Sequence, residues 1–349
     1  MANSGFYYIL SVPRNEASSE GLSSIFELKD DKITIYHLEC HYNGQAPIES
    51  FLIADRSFDH DYQPEVFNYN PEWDLHDNIF HNYSIYNRNF DPDTFREQFQ
   101  IVKTPLEAGE YYPMVFRPVL NKDGLENGFL KCIDSFNQGE NYPLYGPNYT
   151  YYKTKIPQFE LLIDELTNVF KVIEPLPDNK NTYGHQLRNI LILACTEVEN
   201  LLKSFLKAHG VKKESLTMTD YWLANKYLHL NKTFFYFFRY TDWGTACPFQ
   251  AWEAAEYTPL PWYAAYNRVK HDREGNFKEA TLENAVLSVA AVGIILVMMF
   301  GKGNAFWAAK AGKFLSVHQQ PFKIDECYLP YVFPGDTHAK WKLRTIDFK

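Results

Sequence analysis

Asn267 and His271 stand four residues apart in the segment LPWYAAYNRVKHDREGNF, residues 260–277, with Lys270 and Arg273 beside them and Arg268 to one side. If the segment is helical, that spacing puts the amide and the imidazole on one face, one turn apart. Histidine exchanges a proton near neutral pH, an amide orients a phosphate or the ring, and lysine or arginine neutralises charge growing on phosphate oxygens. Those are the parts needed to cleave RNA without a metal. In that reaction the 2′-hydroxyl attacks the neighbouring phosphorus, so DNA, which lacks the hydroxyl, is immune. The same residues fit a plainer arrangement, a polar helix end in which His271 and Arg273 pair with Glu199, Asp272 or Glu274 and hold a bundle together. Spacing alone does not separate the two.

Other chemistries leave less trace. Gly301, Gly303 and the later Gly312-Lys313 have the wrong spacing for a phosphate loop and no following hydroxyl, and neither Gly-x-Ser-x-Gly nor His-Glu-x-x-His occurs. His37 and His41 flank Cys40, and His76, Asp77 and His81 form a second group, so both superficially resemble metal ligands. The first pair falls at a predicted strand end, where a spacing of four does not force convergence, and both groups read as polar surface. No metal and no cofactor is expected. The five cysteines are scattered without a Cys-x-x-Cys pair, and the N-terminus lacks a basic start followed by an apolar stretch, which together predict a reducing, cytoplasmic setting.

These residues need a scaffold, and the chain of 349 residues is long enough for two domains. Its net charge of −9 is unevenly spread: residues 1–150 carry a net −13 and the remainder +4. A polyanion is repelled by the first part and tolerated by the second, so nucleic-acid chemistry belongs after residue 150. In the first part, Phe6 to Val12, Ile25 to Leu28, Lys32 to Leu38, Phe51 to Ile53 and Tyr111 to Val119 read as short strands, with Asp30-Asp31 a turn between two of them. Between Asp55 and Glu97 ten acids face three arginines with little period, which reads as a long acidic loop or a surface for a partner.

Residues 137–152, rich in Gly, Pro, Asn and Tyr, mark the boundary. Beyond it the period becomes helical: Ile156 to Val172, Tyr183 to His209 ended by Gly210, Thr219 to His229, Pro259 to Arg273, and Thr281 to Phe300 with Thr281 as N-cap. Glu199 is the one charged member of a buried-looking line in the second helix, so it lies at the edge of that face or beside a cation. The segment TFFYFFRY, residues 233–240, shows no decisive period. Ala285 to Phe300 is apolar but shorter than the roughly 20 residues of a bilayer span, and reads as a helix buried on all sides, with no membrane involved.

The segments TEVENLLKSFLKAHG and WYAAYNRVKHDR, followed by a long apolar helix, resemble the HEPN superfamily of all-α domains, especially bacterial members with an AYN-x-VKH-x-R segment. The resemblance spans roughly residues 155–300. It implies a homodimer whose two motifs face each other, an RNA substrate, and a place in toxin–antitoxin or phage-defence systems. The superfamily's hallmark is an arginine, then a polar residue, then a histidine beyond a short stretch. Matching Asn267 and His271 to the last two puts Tyr266 where the arginine belongs, so either Arg268, Lys270 or Arg273 supplies the cation or the domain keeps the fold without cleaving.

The expectation is therefore an α+β chain: a small, acidic, β-rich domain at 1–150, able to dock a basic protein partner, then an all-α HEPN-like helical bundle with a C-terminal extension at 151–349. Its expected activity is metal-independent RNA cleavage by Asn267, Arg268, Lys270, His271 and Arg273, with Glu199 in support. The alternative is a non-catalytic interaction or regulatory module that binds a protein or a nucleotide.

Overall fold

The computed structural model describes residues 4–11, 21–38, 40–43, 52–53, 65–117, 119–121, 129–133, 147–301, 315–319, 331–332 and 341–348. The chain is a mixture of sheet and helix and divides into two compact units. The first comprises Met1–Tyr111, Arg117–Ser135 and Pro321–Leu343, and the second Tyr112–Phe116, Phe136–Gln320 and Arg344–Lys349. Each unit is therefore discontinuous in sequence.

In the first unit, strands β1 (Gly5–Ser11), β2 (Gly21–Lys29) and β3 (Lys32–Leu38) form an antiparallel meander. Asp30 and Asp31 both adopt positive φ, 52° and 55°, as a two-residue hairpin turn with the right twist requires. Strands β4 (Cys40–Asn43), β5 (Leu52–Ile53) and β6 (Glu65–Asn68) extend this sheet. The expected acidic loop is corrected from residue 65 onward. After β6 come helices α1 (Leu75–Asn82), α2 (Ser84–Asn89) and α3 (Pro92–Gln98), then β7 (Phe99–Lys103), which pairs with β1. Ile79, Phe80, Tyr83, Tyr86 and Phe95 from the helices pack on Tyr7, Ile9, Phe26, Leu28, Ile33 and Ile35 of the meander. The acids serve the helices: Asp74 and Asp91 accept backbone N–H groups at the N-termini of α1 and α3, and Arg96 bridges Asp74 and Asp77 at 2.8 and 2.6 Å. β8 (Glu110–Tyr111), β9 (Val119–Asn121) and β10 (Phe129–Ile133) follow.

The second unit is largely helical in its described residues. α4 (Pro147–Phe170) and α5 (His185–Ala208) lie antiparallel, tied by Lys155 to Glu197 at 2.8 Å. Short α6 (Met218–Trp222) and α7 (Asn225–Leu228) lead to β11 (Thr233–Phe237). That aromatic segment is a strand with strict alternation: Thr233, Phe235 and Phe237 are buried while Phe234 and Tyr236 are less so. It pairs with β12 (Thr245–Ala246) and β13 (Leu315–Gln319). Helix α8 (Pro261–His271) is followed by a short α9 (Arg273–Asn276) and by α10 (Leu282–Phe300). The Asn284 N–H donates to Thr281 Oγ1 at 3.2 Å, the expected cap.

Among the described residues, α10 alone is long and apolar enough to cross a bilayer, yet every residue from Ser288 to Phe300 is buried by this protein itself. α4, α5, α8 and β11 pack around it. Gly293 allows part of that packing, since a Cβ there would stand 2.6 Å from the Phe235 ring and 2.7 Å from Phe159.

His209, just past α5, is 4% exposed. Its Nδ1 accepts the Ile346 N–H at 3.1 Å, so the ring proton sits on Nε2, which donates to the Pro113 carbonyl at 3.0 Å. Burial pulls its pKa down to about 4. Phe205 and Phe348 close on the ring at 4.7 and 5.8 Å. The chain also returns to the first unit, where β14 (Tyr331–Val332) pairs with β9 and β15 (Lys342–Leu343) with β8.

Candidate functional site

Helix α8 begins with Pro261, whose missing N–H and fixed φ suit a first helical position. Trp262, Ala265, Tyr266 and Val269 follow at helical spacing and are all buried. The Trp262 indole donates to the Pro248 carbonyl at 2.7 Å, which locks the helix's rotation. With the inner face so fixed, Asn267 is half-buried and Arg268, Lys270 and His271 are exposed.

The structure brings Asn267 and His271 onto one helix, His271 being its last residue. Neither side chain makes a hydrogen bond or ion pair with any described residue, and they do not bond to each other. The helix then breaks at Asp272, whose carboxylate accepts the Gly275 N–H at 3.1 Å and so caps α9. Arg273 therefore belongs to a new helix, contrary to the expectation of one continuous element, and its side chain lies outside the described residues.

The cations are less available than their spacing implied. Arg268 Nε donates to both carboxylate oxygens of Glu279 at 2.7 Å, and Nη2 closes on the same group. Lys270 Nζ donates to the Tyr266 hydroxyl at 3.0 Å and lies 5.1 Å from that ring's centre. This contact, with the nearby Glu199 charge, holds the ammonium above its ordinary pKa. Basic residues also suit the last turn of any helix, where they face the negative end of its dipole.

Glu199 has a partner the sequence did not suggest: the Tyr263 hydroxyl donates to Oε1 at 2.7 Å. Burial first, and then this carboxylate, push the Tyr263 phenol well above its ordinary range, so it stays a donor. Burial likewise keeps the Cys195 thiol protonated, helped by Glu199. Of the pairings in the plainer arrangement, that of Glu199 with His271 is absent among the described contacts, and the Arg273 side chain lies outside them.

A cleft of about 350 Å³ opens beside this helix. Leu216, Thr217, Met218 and Thr219 from one stretch of chain and Tyr257, Pro259, Leu260, Tyr263, Ala264 and Asn267 from another line it. The sequence alone does not disclose it, because no motif marks residues 216–219 and nothing local brings them to Pro259, Tyr263 and Asn267.

The second histidine group of the sequence does not converge. Asp77 turns to Arg96, His81 packs at a tilt against Trp73 with ring centres 4.8 Å apart, and His76 meets Phe95 edge to face. Among the described residues no cluster of three or more His, Cys, Asp or Glu forms a metal site. His37 and His41 have side chains outside those residues. Compared with known proteins, the chain matches no family model, no curated protein and no solved structure.

Proposed function

We propose that this chain is a HEPN-like, metal-independent endoribonuclease of the cytoplasm, acting as a homodimer in a toxin or phage-defence setting, with His271 as the proton-transferring group. The observation that carries the reading is an exposed imidazole, unpartnered among the described residues, at the end of a helix whose other face is locked by Trp262 and Tyr266. A group so placed is open to a substrate and stands on a helix that is itself held in position. In the reaction His271 takes the 2′-hydroxyl proton or returns one to the leaving oxygen. Lys270, exposed beside it, stands nearest in sequence to neutralise the phosphate. The resemblance of the α5 and α8 segments to HEPN supports the assignment, and Leu161 and Leu193, each 58% exposed on α4 and α5, offer apolar area to a second copy.

The test is cleavage of single-stranded RNA in EDTA by the whole chain. Wild type should cut, a 2′-deoxy substrate should survive, and His271→Ala should lose about 10²–10⁴-fold in rate with its melting temperature unchanged. Cleavage surviving in His271→Ala refutes the proposal.

One observation favours the second reading, a non-catalytic module. Arg268 is spent on Glu279 and Lys270 on Tyr266, so two of the three cations near His271 are already engaged. In that case the net −13 of residues 1–150 attracts a basic protein partner. The two readings separate on the nuclease assay and on salt-sensitive capture of a basic peptide by the whole chain.

A further inference from the structure

We infer that the cleft beside α8 binds a nucleobase, with Asn267 reading its edge; the inference rests on the RNA-cleavage reading only for what lies next to that base. Among the described residues no charged side chain lines the cleft, which suits an uncharged ligand group. Its walls are largely apolar or aromatic: Leu216, Met218, Leu260 and the rings of Tyr257 and Tyr263. Two of its polar groups are already committed, the Thr217 hydroxyl to Asp220 at 2.8 Å and the Tyr263 hydroxyl to Glu199 at 2.7 Å.

The Asn267 amide is not committed. It lines the cleft half-buried and makes no side-chain hydrogen bond with a described residue. A carboxamide offers one acceptor and two donor hydrogens in one plane, and its complement is a flat ring carrying a donor and an acceptor side by side. Adenine presents that pair, and asparagine is a recurrent bidentate partner for it. Aromatic walls suit the same ligand, because bases extruded from a single strand stack on tyrosine. The volume sits at the small end of the roughly 300–1,000 Å³ typical of ligand sites, which suits one nucleoside.

Position adds the link to chemistry. His271 follows Asn267 by four residues, a rise of ~6 Å along the helix and on the same face. A base held at Asn267 therefore leaves its own sugar and phosphate within reach of the imidazole.

The experiment measures binding of adenosine and of a short single-stranded RNA to the whole chain by calorimetry. Adenosine should bind and should compete with the RNA. Asn267→Leu, which keeps the size and removes the amide, should weaken adenosine roughly ten-fold, the scale of one lost bidentate contact. Thr219→Trp, placed at an exposed lining position, should block the cleft without touching α8. Binding unchanged in both cleft variants, or no adenosine binding by a folded wild type, overturns the inference. If adenosine binds as described but RNA is never cut, the nuclease reading falls and the base site stands. If RNA is cut while adenosine is ignored, the reverse holds.

Discussion

Acidification should unfold this protein through one histidine more than through any other single ring described. His209 keeps its neutral form in the fold because both ring nitrogens are used and the ring is enclosed by Phe205 and Phe348. Its pKa is about 4 in the folded chain against an ordinary value of 6.5. Above pH 6.5 neither state binds the proton and stability is unaffected. Below 6.5 the unfolded chain is protonated and the folded chain is not, so stability falls as pH drops and levels off near pH 4. At pH 4.5 the loss is about 2.5 kcal/mol from this group alone. Urea unfolding of wild type and His209→Gln at pH 7.5 and 4.5 isolates it, since other titrating groups contribute to both and cancel. Glutamine retains a donor for the Pro113 carbonyl and does not titrate. The variant should be less stable at pH 7.5 but lose about 2.5 kcal/mol less on acidification. Equal pH dependence in the two proteins, or a ring proton titrating near 6.5 by NMR in the folded chain, would refute the reasoning.

Gly293→Ala should lower stability by about 1–3 kcal/mol, because its new methyl meets the Phe235 and Phe159 rings below contact distance; an unchanged melting temperature would show that those rings yield freely. Tyr263→Phe removes the one hydroxyl that donates to Glu199 in the described contacts, and should cost about 1–3 kcal/mol at pH 7, as read from denaturant midpoints. Glu279→Gln releases Arg268 from a largely exposed ion pair, so its effect on stability should stay within about 1 kcal/mol. If Arg268 can serve as the missing cation, the same variant should raise the rate of RNA cleavage, and an unchanged rate assigns Arg268 to structure alone.

What the residues disclosed in advance follows from how far their partners lie along the chain. α5, α8 and α10 were legible because each has a buried stripe or an unbroken apolar run, and because Thr281 and Gly210 punctuate them locally. The helices α1 to α3 were hidden, being six to eight residues long, too short for a period to stand out from Asn, Asp and Tyr. In β11 nearly every position is aromatic, so burial alternates while residue type does not. Within the site, the spacing of Asn267 and His271 was readable, whereas the fate of Arg268 depended on Glu279, eleven residues on and past the break at Asp272. Asp272 with Gly275 was in fact a local signal for that break. Nothing local announces that Tyr263 meets Glu199, 64 residues earlier, or that residues 216–219 face Asn267.

The interleaved course of the chain bears on synthesis. Strand β14 contributes Tyr331 and Val332 to the first unit, after nearly all of the second has been translated. On the ribosome the amino-terminal sheet must wait, with the β9 edge that β14 will join still unpaired on that side, until the helical bundle is already out of the tunnel. An unfinished sheet edge is open to other chains, so slowed elongation between residues 136 and 331 should raise aggregation of the nascent protein.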